Sequence, residues 1–151
     1  MSPRALVRLV AACTAATLTA CAPSLAVRPA EYLGTNPAGP PRPFSPAVRI
    51  NGFLYLSGQV GSDSTGKVVA GGIKAETRQV MENIGRVLTA NGSSFARVVK
   101  CTVFLADMSE WGAMNEVYAT FFPADKRPAR SAMGVNGLAL GARTEIECIA
   151  Y

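Results

Sequence analysis

The strongest constraint on this chain is a change of hydrophobic period. Ile73, Thr77, Val80, Met81, Ile84, Val87 and Leu88 recur at helical spacing. They form one face of an amphipathic helix over about 73–91. Glu76, Arg78, Glu82 and Arg86 fall off that face, and Asn91-Gly92 has the chemistry of a left-handed cap. Runs suited to strands lie on both sides. "AVRINGFLYLSGQVG" reads as a hairpin turning at Asn51-Gly52, with Gly58 and Gly61 loosening the chain after it. "RVVKCTVFLAD" reads as a buried strand. Asp107 or Ser109 can cap a second helix, whose stripe of Trp111, Met114, Val117, Tyr118, Phe121 and Phe122 is expected to be core. Pro123 stops it, and "ARSAMGV" and "TEIECIAY" supply two more strands.

The order β-β-α-β-α-β-β predicts an α+β domain, one sheet covered on one face by two helices. The other face would carry Val, Ile and Leu into water, and self-association is the expected remedy. A chain of 151 residues that is 49% hydrophobic fills one such domain and not two.

The first 21 residues read as an address. Arg4 and Arg8 make a positive n-region, Leu9 to Leu18 an apolar stretch, and Leu18-Thr19-Ala20-Cys21 a cleavage box. A cysteine directly after Leu-x-Ala resembles the lipobox of bacterial lipoproteins. The expectation is a signal peptide over 1–20 and a lipidated Cys21. The chain would then be exported and lipid-anchored to the cell envelope, on the outer membrane facing the periplasm if the cell is Gram-negative. The membrane would be engaged through Cys21 only. The proline-rich residues 21–42 read as a tether, and residues 43–151 as the domain.

Composition narrows the chemistry. There is no histidine, so a Ser/His/Asp triad, a Cys–His pair and a histidine-ligated zinc are excluded. Carboxylates, lysines, tyrosines and thiols remain as acids and bases. The formal charge is +5, and without Arg4 and Arg8 it is +3, from 13 basic and 10 acidic residues. The basic residues are scattered, and no nucleic-acid partner is expected. No metal cluster, phosphate loop or flavin motif stands out, and no cofactor is expected. Cys13 leaves with the signal. Cys101 and Cys148 sit in predicted strands, either as small buried hydrophobes or, in an oxidising compartment, as a disulfide; the sequence leaves the two open.

Five pieces, in order, resemble the RidA/YjgF family of enamine/imine deaminases. They are "RPFSPAV" (42–48), "LYLSGQVG" (54–61), "VVKCTVFLADMSEWGAMNEVYATFF" (98–122), "RPARSAMGV" (127–135) and "EIECIA" (145–150). The resemblance spans about Pro43 to Ala150. It implies a chorismate-mutase-like mixed sheet with two helices on one face, assembled as a homotrimer with clefts between subunits. It implies hydrolysis of 2-imino acids, or their enamine tautomers, to 2-oxo acids and ammonia. Arg130 would hold the substrate carboxylate and Glu145 would activate water. Phe44, Ser57, Gly58, Asn115 and Ala132 would complete the pocket, Asn115 from across the interface. The main chain at Ser131-Ala132 could help hold the water. Phe44 stands where the family has tyrosine, Ala132 where it has cysteine, and Thr144 where it has an apolar residue. The alternative is a non-catalytic trimeric lipoprotein that binds small carboxylates in the same clefts.

Overall fold

The computed structural model describes residues 28–34 and 43–151. The signal segment, Cys13, Cys21 and residues 35–42 lie outside the described residues. Seven strands form a single sheet: β1 (Glu31–Leu33), β2 (Ala47–Ile50), β3 (Phe53–Leu56), β4 (Gln59–Val60), β5 (Val98–Leu105), β6 (Ala129–Gly134) and β7 (Thr144–Ala150). The helices are α1 (Gly72–Ala90) and α2 (Trp111–Tyr118). The spatial order is β1-β2-β3-β7-β5-β6, with β4 also on β7. Only β5 and β6 run parallel. This is the α+β mixed sheet with two helices that the sequence predicts.

Local chemistry explains the joints. Ile50 pairs with Phe53 across a two-residue turn. Asn51 (φ 50°) and Gly52 (φ 84°) are both left-handed there, as a right-twisted hairpin requires. Helix α1 ends in a Schellman motif. The Gly92 N–H donates to Thr89 O at 3.1 Å and the Ser93 N–H to Leu88 O at 2.9 Å, with Gly92 at φ 70°. Asp107 accepts from the Ser109 N–H at 2.8 Å and caps the turn leading into α2.

Two strands go beyond the expected order. β1 lies inside the segment read as tether and pairs Tyr32 with Val48, so the sheet takes in Glu31 and not only residues from 43 onward. Three residues are too few to show a period, and the prolines around them mask it. β4 continues from β3 after a break at Ser57-Gly58, and both pair with β7.

The core lies between the helices and one side of the sheet. Leu54, Leu56, Cys101, Val103, Leu105, Ile146 and Cys148 meet Val80, Met81, Ile84, Leu88 and Met114 there. Cys101 and Cys148 are cross-strand partners with Cα atoms 4.1 Å apart, and they are disulfide-bonded. The open side is mixed. Val48, Ile50, Phe53, Tyr55, Phe104 and Ile149 share it with Lys100, Thr102, Glu145 and Glu147, and Lys100 Nζ donates to Ser131 Oγ at 2.7 Å. Glu76 also departs from its expected place. It is buried, its Oε2 accepts from the Arg143 N–H at 2.8 Å, and its Oε1 lies 3.7 Å from Arg143 Nε. A periodicity plot places charge outside; a distant arginine lets this carboxylate face inward.

Candidate functional site

Arg130 lies on β6, the last strand of the sheet, in register with Cys101. Parallel partners share a face, so its side chain lies on the helix side. There Arg130 NH1 donates to Asn115 Oδ1 at 2.6 Å. The guanidinium lies 4.8 Å from the Tyr118 ring centre and 5.8 Å from that of Trp111, within cation–π reach of both. Trp111, Asn115 and Tyr118 fall at i, i+4 and i+7, one stripe of α2 aimed at the arginine. Among the described residues no other side chain accepts from this guanidinium, so most of its planar fork is free for a carboxylate. A cavity of 320 Å³ opens beside it, lined by Asn115, Tyr118, Ala119, Arg127, Pro128 and Arg130.

This corrects the reading of α2 as core alone. Met114, Val117, Tyr118 and Phe122 are buried, but Trp111 is 44% exposed over the arginine. Tyr118 belongs to both: its ring packs on Phe122 at 5.0 Å, and its hydroxyl is buried without a partner. Burial pushes its phenol up to about 12, against the opposing pull of the Arg130 charge.

Glu145 lies elsewhere. It pairs with Phe104 on β5 and Val60 on β4, between the buried Thr144 and Ile146. Alternation therefore turns it to the open face. Gly58 lies directly against it, and a Cβ at that position would fall 2.0 Å from Glu145 Oε1. Ser57 precedes it. Its Oγ donates to Ser45 O at 2.7 Å and its N–H to Pro46 O at 3.0 Å, tying down the loop that carries the half-exposed Phe44.

The predicted site residues thus fall into two groups on opposite faces. Arg130 and Asn115 come together, and Ser57, Gly58 and Glu145 come together. Strand β5 stands between β6 and β7, so one chain does not bring Arg130 to Glu145. Asn115 meets Arg130 within the same chain, and the Ala132 side chain packs on the core, leaving its main chain at the sheet edge. Trp111 and Tyr118 are expected from sequence as core rather than as site residues, and Arg127 is not singled out. The spacing of Trp111 and Tyr118 about Asn115 was the available signal; for Arg127 there was only its closeness to Arg130.

The described residues form an α+β mixed sheet with two helices, and Arg130 sits on its edge strand bonded to Asn115. A family model described as Endoribonuclease L-PSP matches residues 35–151. The 2-iminobutanoate/2-iminopropanoate deaminase of Mus musculus is 48% identical over 109 residues, 72% of this chain and 80% of the mouse protein. The Homo sapiens protein of the same name is 43% identical over 109 residues, 72% of this chain and 79% of the human one. The crystal structure of RidA from the Antarctic bacterium Psychrobacter sp. PAMC 21119 superposes with a TM-score of 0.69 at 39% identity, covering 73% of this chain and 89% of that one. The chain belongs to the RidA/YjgF family.

Proposed function

We propose that this chain is an enamine/imine deaminase that hydrolyses 2-imino acids to 2-oxo acids and ammonia. The observation that carries the reading is the largely free fork of Arg130, held by Asn115 and close to the Tyr118 and Trp111 rings beside a cavity. A planar guanidinium suits a carboxylate bound through two oxygens. The mouse and human relatives named as deaminases support the same chemistry.

In this reading Arg130 binds the α-carboxylate and leaves the C=N carbon exposed to water. Glu145 accepts a proton from that water as its oxygen bonds to carbon, and the imine nitrogen takes a proton from solvent. Glu145 then returns its proton to the amine nitrogen, the hydroxyl gives its proton to solvent, and ammonia leaves as the C–N bond breaks and C=O forms. Because the two residues lie on opposite faces of the sheet, one site needs Arg130 from one subunit and Glu145 from another. A homotrimer with clefts between subunits supplies that pairing. β6 is an edge strand, and main-chain groups at Ser131-Ala132 that point away from β5 are suited to hold the water.

We also infer that the protein is exported and lipid-anchored through Cys21, with residues 1–20 as its signal peptide. The n-region, apolar stretch and box support this, and a buried disulfide suits an oxidising compartment. The endoribonuclease in the family model's description has less support, since the basic residues are scattered.

The test generates 2-imino acids in place with an amino acid oxidase and traps them with semicarbazide. Wild type should suppress the semicarbazone signal, and Arg130→Ala and Glu145→Ala should not. If wild type matches a protein-free control across small and aromatic imines, the carboxylate-binding lipoprotein replaces the enzyme.

A further inference from the structure

The cavity beside Arg130 has a second cation. Arg127 lines it too, three residues earlier and across Pro128. No acidic residue is among the lining residues. The carboxylates of the neighbouring helix are committed elsewhere: Glu116 Oε2 takes Lys74 Nζ at 2.5 Å, and Glu110 Oε1 takes Arg143 NH1 at 2.6 Å. Asn115 is polar but uncharged, and it already accepts from Arg130. Among the described residues Arg127 has no salt-bridge or side-chain hydrogen-bond partner, and it is exposed. Two arginines that line one cavity give it a positive field, which an anion between them would balance. In the deaminase reading one substrate carboxylate satisfies Arg130 and the Glu145 of a second subunit is taken up by the attacking water, which leaves Arg127 unmatched.

We propose that the site takes acidic 2-imino acids, those with a second carboxylate at the end of a short side chain. Arg130 binds the α-carboxylate and Arg127 the distal one. The C=N carbon then lies between two fixed points, which orients it as a single contact cannot. A cavity of 320 Å³ is at the small end of ligand sites, and a dicarboxylate of four or five carbons fits it. Arg127 is then a specificity-determining residue and Arg130 the general anchor. The inference rests on the deaminase reading for its chemistry, though not for the charge pair itself.

The experiment compares 2-iminoglutarate with 2-iminobutanoate, each made in place from its amino acid by an oxidase. The readout is the ratio of kcat/KM for the two in wild type, Arg127→Gln and Arg127→Lys. The expected ratio favours the dicarboxylate in wild type. It falls about tenfold in Arg127→Gln, the scale of one charge-assisted hydrogen bond, and partly recovers in Arg127→Lys. An equal ratio in wild type and Arg127→Gln overturns the proposal. If wild type hydrolyses neither imine, the deaminase reading fails and calorimetry with 2-oxoglutarate and 2-oxobutanoate decides the charge pair. Tighter binding of the dicarboxylate, lost in Arg127→Gln, supports it; equal binding of the two acids overturns it.

Discussion

Arg130 and Glu145 lie on opposite faces of one sheet, with β5 between their strands. Arg130 shares the side of Cys101 and the helices, while Glu145 shares the side of Phe104 and Glu147. Any chemistry that uses both must draw them from different chains. In the proposed mechanism activity is therefore a property of the assembly, which mixing inactive subunits tests.

Arg130→Ala and Glu145→Ala should each be inactive alone. Co-refolded in equal amounts, they should regain roughly a quarter of wild-type activity, since random mixing leaves about that share of composite sites intact. Semicarbazone trapping on the mixture reads this out. No recovery, with mixed oligomers demonstrated, would rule out a site shared between subunits.

Gly58→Ala should disable the site while leaving the fold in place. The new Cβ would fall 2.0 Å from Glu145 Oε1, and the carboxylate can escape by swinging away. kcat should fall by tenfold or more, while stability changes by about 1 kcal/mol or less. Urea melts beside kinetics separate the two effects.

The Cys101–Cys148 bond closes a long loop, its ends 47 positions apart in sequence. Chain entropy then gives about 4 kcal/mol of stabilisation over the reduced form. Denaturation with and without reductant should show a lower urea midpoint for the reduced protein. Reduction in the native state should be slow, because both sulfurs are buried in the core.

Tyr118 gives a pH signature. Its phenol rises from an ordinary 10.0 to about 12 in the folded chain. The unfolded chain therefore ionises first, and the stability this group contributes is full below pH 10 and is lost as pH rises toward 12. Tyr118→Phe should flatten that alkaline loss. At neutral pH it should cost little or stabilise slightly, because the hydroxyl removed is buried without a partner. Chemical melts of both proteins across the alkaline range are the check.

Cys21→Ser should release the protein from the cell envelope and abolish labelling by a fatty-acid probe. Labelling that persists in the variant would move the anchor away from Cys21.

Residues with strong local rules were legible early. The Asn51-Gly52 turn, the cap at Gly92, the α1 stripe and the strands around Cys101 and Cys148 each follow from a few neighbouring side chains. Arg130 and Glu145 were legible as chemical types through the family resemblance. β1 was hidden because three residues carry no period. Glu76 was misplaced because its counter-charge, Arg143, is 67 positions away. Trp111 and Tyr118 looked like core because an apolar stripe does not say what it faces.

Sequence alone therefore determined the class of fold and the family, and marked Arg130 and Glu145 as candidates. Those depend on periodicity, turn chemistry and residue type, which are local. Tertiary structure alone decided that Arg130 is clasped by Asn115, Tyr118 and Trp111, and that Arg127 shares its cavity. It alone decided that Glu145 faces the other way. Those follow from strand order and register, which set faces and neighbours between residues far apart in the chain, and a strand's own sequence does not specify which strand it lies beside.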